Sequence, residues 1–231
     1  MAASAESGPA ERLGALPGAQ RLPSKALELI IVRNFLDPDG CAALCELIDR
    51  RRRPSEVADH RGGPDFRTSE TCDLDPAEPL VAAIDRHLCA ALGLDSGLGE
   101  PIQGQRYAPG QEFKPHTDTF NPGGADFYRF CADQGQRTWT AMLYLNQPEE
   151  GGATRFKAIG KSIQPETGKL LAWNNLLPDG RPNPATLHQG MKVRRGTKYI
   201  LTKWFRQFPA GSVSGRSAGT IFGTPPASVG R

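Results

Sequence analysis

From about Pro101 onward the chain is punctuated as a β protein. Short apolar segments at 102–107, 112–116, 139–145, 153–156, 169–173 and 199–205 alternate with Gly, Pro and Asn turns. Strands this short satisfy their backbone groups only by pairing with neighbours. Several of them in succession with local turns predict a jelly-roll or barrel-like sandwich. A length of 231 residues suits one generous domain.

The first hundred residues have a different texture. Residues 28–32 read as a first strand. Asp37-Pro38 offers an N-cap followed by proline at the first helical position, and Cys41, Leu44, Cys45 and Ile48 continue a helix with one buried face. Asp75-Pro76 repeats the device, with Glu78 completing a capping box, and Leu80, Val81, Ile84 and Leu88 carry a second helix toward Gly93. The fold expected is therefore mainly β with flanking helices (α+β). Residues 1–24, rich in Ala, Gly, Ser and Pro, read as a flexible arm or a loosely docked lead-in. Residues 25–208 form the domain, and residues 209–231 read as a flexible or loosely docked tail anchored by Ile221 and Phe222.

Composition narrows the function classes. The apolar run at 27–32, broken by Glu28, is far too short to span a bilayer, so no membrane partner is expected. The net charge of +3 makes no case for nucleic acid, and the four arginines Arg50 to Arg53 read as a basic helix end that suits the dipole. The five cysteines form no CxxC pair, which points to a reducing compartment and away from a zinc ribbon. No secretory signal pattern is read in the lead-in, so the expectation is cytoplasmic.

Within the β region, His116 and Asp118 stand at i and i+2, which an extended chain aims at the same side. If the strand carrying His188 passes that point, the three make a two-histidine, one-carboxylate facial triad that leaves open positions on non-haem Fe(II). His60, in a polar run, and His87, on the second helix, are read as bystanders. Lys198 follows His188 by ten positions and can reach inward to pair the distal charge of a dicarboxylate cosubstrate. Thr202, on the same strand face, adds a hydroxyl, and Tyr107, on the strand before His116, adds a phenol.

These residues lie in an ordered set of stretches. Arg106-Tyr107-Ala108-Pro109-Gly110-Gln111 comes first, then Pro115-His116-Thr117-Asp118, Tyr144-Leu145-Asn146 and Gly151-Gly152-Ala153-Thr154-Arg155-Phe156. Thr186-Leu187-His188-Gln189-Gly190 and Gly196-Thr197-Lys198-Tyr199 complete it. Over roughly residues 27 to 208 the chain resembles the prolyl 4-hydroxylase branch of the 2-oxoglutarate/Fe(II) dioxygenases. The resemblance implies a double-stranded β-helix core with the N-terminal helices packed on one sheet. It implies His116, Asp118 and His188 as iron ligands and Lys198 on the far carboxylate of 2-oxoglutarate, assisted by Tyr107 and Thr202. It also implies O2 as cosubstrate, ascorbate as a reductant, and hydroxylation of a prolyl residue in a protein or peptide with release of succinate and CO2.

On the substrate side the resemblance implies contacts from Arg67, Ser69, Arg137 and Trp204, with the Trp204 face stacking on a pyrrolidine ring. The segments 60–71 and 121–136 read as lids over substrate. The chain departs from the family pattern at Ala153, Met191-Lys192 and Arg206. Two other readings stay open: hydroxylation of a free amino acid or small metabolite, and a non-catalytic peptide-binding domain.

Overall fold

The computed structural model of the chain describes residues 7–55 and 66–211. In chain order the elements are α1 (Pro9–Gly14), β1 (Ala19–Arg21), β2 (Leu29–Val32), α2 (Pro38–Arg51), β3 (Arg53–Pro54), β4 (Glu70–Asp73) and α3 (Pro79–Leu92). Then follow β5 (Gln103–Tyr107), β6 (Phe113–His116), α4 (Ala125–Cys131), β7 (Arg137–Tyr144), β8 (Glu150–Gly151) and β9 (Thr154–Phe156). The chain continues through β10 (Lys161–Ile163), β11 (Leu170–Asn174), β12 (His188–Gly190), β13 (Val193–Arg195) and β14 (Lys198–Arg206).

All the pairings are antiparallel. The large sheet runs β1-β2-β11-β7-β14-β5-β4-β3, the smaller one β10-β9-β12-β6, and β13 pairs β8. Strand alternation splits the core in two. Ile30, Val32, Ala141, Leu143, Leu170, Ala172 and Leu201 face the helices, packing on Leu44, Ile48, Ile84 and Leu88. Leu29, Ile31, Met142, Tyr144, Leu171, Trp173 and Ile200 face the other way and pack with Phe156, Ile163 and Val193. The fold is the jelly roll expected, with the site between its sheets. The helix layer lies close on the large sheet: a Cβ at Gly104 would stand 2.4 Å from Ile48 Cγ1, so only glycine fits there.

Helix α2 begins as its cap predicts, Asp37 Oδ1 accepting the Gly40 N–H at 2.8 Å. The start of α3 differs from expectation. Asp75 organises a turn, accepting the Ala77 N–H at 2.9 Å, and the helix starts at Pro79 with no capping box from Glu78. A helix begun at Pro76 would put Pro79 where its missing N–H breaks the first helical bond, so Pro79 itself takes the first position. Of the two readings of the lead-in, arm or docked segment, its described part takes the second. Leu13 of α1 is fully buried in the helix-side core and β1 pairs with β2. The tail anchors Ile221 and Phe222 lie outside the described residues.

Candidate active site

Strands β6 and β12 run side by side and set His116 directly opposite His188. Asp118 follows at the end of β6. One donor atom from each of the three lies within 4.8 Å of the others, and His116 Nε2 is 4.0 Å from Asp118 Oδ1. Each imidazole is oriented by its own backbone. His116 Nδ1 bonds the Lys114 carbonyl at 2.8 Å and His188 Nδ1 the Thr186 carbonyl at 2.9 Å. A carbonyl only accepts, so Nδ1 carries the proton and both Nε2 lone pairs face the centre. Thr140 donates to Asp118 Oδ2 at 2.7 Å and is itself held by Asn175 at 2.8 Å, which leaves Oδ1 for the centre.

Burial, with His188 alongside, pushes the His116 pKa down to about 3, so the ring is a neutral donor rather than an ion-pair partner. Burial opposes ionisation of Asp118. His188, His116, Arg137 and the Thr140 hydroxyl together outweigh it and hold the carboxyl below its ordinary range. Two imidazoles and one carboxylate on one side of a point fit a facial divalent-iron site.

Deeper between the sheets a small cavity is lined by Gln105, Tyr107, Met142, Lys198, Ile200 and Thr202, continuous with His116, Asp118 and His188. Lys198 makes no ion pair among the described residues. Its Nζ lies 5.0 Å from the Tyr107 ring centre and 5.3 Å from that of Tyr144. Burial alone lowers its pKa to about 7. Gly152, at φ 73°, permits this placement, since a Cβ there would press to 3.1 Å on Lys198 Cδ. A buried ammonium facing aromatic rings and no carboxylate fits a site that receives an anion. The sequence reading missed Gln105, which accepts from Tyr107 Oη at 2.8 Å and donates to Thr202 Oγ1 at 3.2 Å.

Outside the metal centre opens a cleft of about 1440 Å³, lined by Arg67, Glu100, Phe120, Arg137, Trp204 and Arg206 among others. Arg137 is forked onto Glu100 by two bonds of 2.7 Å. Its guanidinium lies 3.9 Å from the Trp204 ring, so one face of that indole is already occupied. Arg67 lines the cleft and lies over Phe113 at 4.9 Å. Ser69 does not line it; it is buried and accepts from Arg67 Nε at 3.1 Å. Of the expected lids, residues 60–65 lie outside the described residues, and 121–136 contains α4, with Phe130 stacked on Phe120 at 5.3 Å. His87 packs on Phe35, away from the site.

The 2OG-Fe(II) oxygenase superfamily matches this chain over residues 102–206. Prolyl 4-hydroxylase 1 of Arabidopsis thaliana is 32% identical over 199 residues, covering 78% of this chain and 69% of the relative. Prolyl 4-hydroxylase subunit alpha-1 of Gallus gallus is 30% identical over 143 residues, which is 62% of this chain but only 28% of that longer protein. Among solved structures, the viral collagen prolyl hydroxylase of Paramecium Bursaria Chlorella virus-1, in its 2OG complex, aligns with a TM-score of 0.62 at 28% identity. That alignment covers 77% of this chain and 95% of that one.

Proposed function

This chain belongs to the prolyl 4-hydroxylase family of 2-oxoglutarate/Fe(II) oxygenases, and on that premise we propose that it hydroxylates a prolyl residue of a protein or peptide, at the trans-4 position, releasing succinate and CO2. One observation carries the reading. Two bare imidazole nitrogens and a carboxylate oxygen face one centre, in a cavity that also holds a buried ammonium with no ion pair among the described residues.

His116 and His188 would hold Fe(II) through Nε2, and Asp118 through Oδ1. The bound metal supplies activation of O2 coupled to decarboxylation of 2-oxoglutarate. Lys198 pairs with the distal carboxylate of the cosubstrate, and Thr202 and Tyr107 bring hydroxyls beside it. Thr140 and Asn175 keep Asp118 from turning. Met142, Ile200 and Trp173 line the cavity and limit water. A cleft of about 1440 Å³ exceeds the roughly 300–1,000 Å³ of small-molecule sites, which favours a peptide over a free amino acid. Arg137, held by Glu100 and stacked on Trp204, forms the wall against which the target residue is set. Ascorbate as the reductant and a reducing, cytoplasmic location belong to the same proposal; the five free thiols support the second.

Succinate release from a proline-rich peptide is expected to require added Fe(II) and 2-oxoglutarate and to vanish in His188→Ala. Mass spectrometry should find one added oxygen on the peptide's proline. Oxygen gained only on free small molecules redirects the reading to a metabolite, and peptide binding without 2-oxoglutarate consumption redirects it to a binding domain.

A further inference from the structure

We infer that Arg67 and Asp73, which line the outer cleft, dictate through two glutamines which hydroxyl of the inner cavity presents its proton to the cosubstrate: Thr202, not Tyr107. The inference rests on the 2-oxoglutarate reading above and assigns a role to Gln103 and Gln105.

Strand β5 sets Gln103, Gln105 and Tyr107 on one face, at i, i+2 and i+4. An amide has no intrinsic preference between its two ends, so its sense is read from its partners. Gln103 has partners of unambiguous kind at both ends. Arg67 Nη2, which can only donate, meets its Oε1 at 3.2 Å. Asp73 Oδ1, which as a carboxylate can only accept, meets its Nε2 at 3.4 Å. Asp73 is itself fixed by Arg53 at 2.5 Å.

The sense then propagates. The Gln105 atom that meets Gln103 Oε1 at 3.4 Å must be a donor, so it is Nε2, and the same nitrogen reaches Thr202 Oγ1 at 3.2 Å. Gln105 Oε1 is left facing Tyr107, whose phenol must therefore donate, at 2.8 Å. The Tyr107 proton is committed to Gln105. Thr202 is the opposite case. Its oxygen accepts, and its own proton has no acceptor among the described residues, in a cavity it shares with Lys198. Reversing this order would turn the Gln103 amide nitrogen onto Arg67 and its carbonyl onto Asp73. A substrate group that draws Arg67 off Gln103 removes one of the two constraints, which links filling of the cleft to the proton order in the cosubstrate pocket.

Calorimetric titration of 2-oxoglutarate into the Mn(II)-loaded protein, without turnover, tests this. Thr202→Val should weaken binding about 10-fold, Thr202→Ser should restore it to within about 3-fold, and Tyr107→Phe should cost less than about 3-fold. In a Gln103→Leu background, which frees the Gln105 amide, Tyr107→Phe should become costly. Tyr107→Phe costing more than Thr202→Val in the otherwise native chain overturns the assignment. An unchanged Tyr107→Phe effect in the Gln103→Leu background overturns the relay. Wild-type protein that takes up Mn(II) but no 2-oxoglutarate overturns the functional reading and this inference with it.

Discussion

Lys198 and Lys203 stand on the same strand, β14, and both are almost sealed from solvent, at 1% and 2% exposure. An odd spacing turns them to opposite faces of the large sheet. Lys203 points toward the helices and meets Asp85 of α3 at 2.5 Å and the Glu100 carbonyl at 3.0 Å. Lys198 points between the sheets and meets the faces of Tyr107 and Tyr144. One ammonium is neutralised within the chain and ties a helix to the sheet. The other carries an uncompensated charge, which weakens the free protein and suits an anion that arrives later. The same residue type on the same strand is thus structural on one face and receptive on the other.

The largest effect expected is on ligand binding. Lys198→Ala should weaken 2-oxoglutarate binding by about 100-fold or more while metal uptake stays near wild type. Equal loss of both would mean that Lys198 supports the metal centre and would erase the contrast with Lys203. Next is stability. Lys203→Met leaves Asp85 without its buried partner and should cost about 2 kcal/mol in urea unfolding, less than a fully buried pair because Asp85 is partly exposed. Its 2-oxoglutarate affinity should not move. Lys198→Met should hold or raise the stability of the free protein, by up to about 1 kcal/mol. A large loss there would contradict the claim that this charge is uncompensated.

The smallest effect is in pH. Lys198 titrates at about 7 in the folded chain against an ordinary value of 10.5. Between those values the unfolded chain holds the extra proton, so the contribution of this group to stability rises with pH across that window and is flat below it. Binding of a dicarboxylate requires the ammonium, so affinity should fall as pH rises above about 7 and binding should take up a proton. Calorimetry at pH 8 in buffers of different ionisation heat measures that uptake, and Lys198→Met should abolish it.

What could be read from the sequence follows from how each region is built. The strands of the large sheet were legible because alternation puts Leu143 on one face and Met142 on the other, a period that survives in the sequence. His116, Asp118, His188 and Lys198 stood out as ionisable or ligating side chains at strand positions, and the structure brings them into one cavity. Gln105 did not stand out. The amides of Gln103 and Gln105 carry no ligating or charged signal within the strand read at 102–107, and only the fold reveals that the two glutamines bond each other and that Gln105 meets Tyr107. The outer cleft was harder still. Glu100, Phe120, Arg137 and Arg206 come from remote loops and strand ends, and α4 is too short at seven residues to show a helical period. The lead-in stayed open between arm and docked segment because its composition is that of a linker, while Leu13 is buried only by tertiary packing in the core it shares with α3. The Trp204 face expected to receive a pyrrolidine ring is stacked on Arg137, a pairing set by the Glu100 fork rather than by any local pattern.

Anaerobic titration of the metal-free protein with Fe(II), wild type beside His188→Ala, tests most directly whether strands β6 and β12 share a metal. The expected result is a single tight Fe(II) per wild-type chain and an affinity lower by about 100-fold or more in the variant, with the fold intact by circular dichroism. Fe(II) bound equally well by His188→Ala would contradict the account.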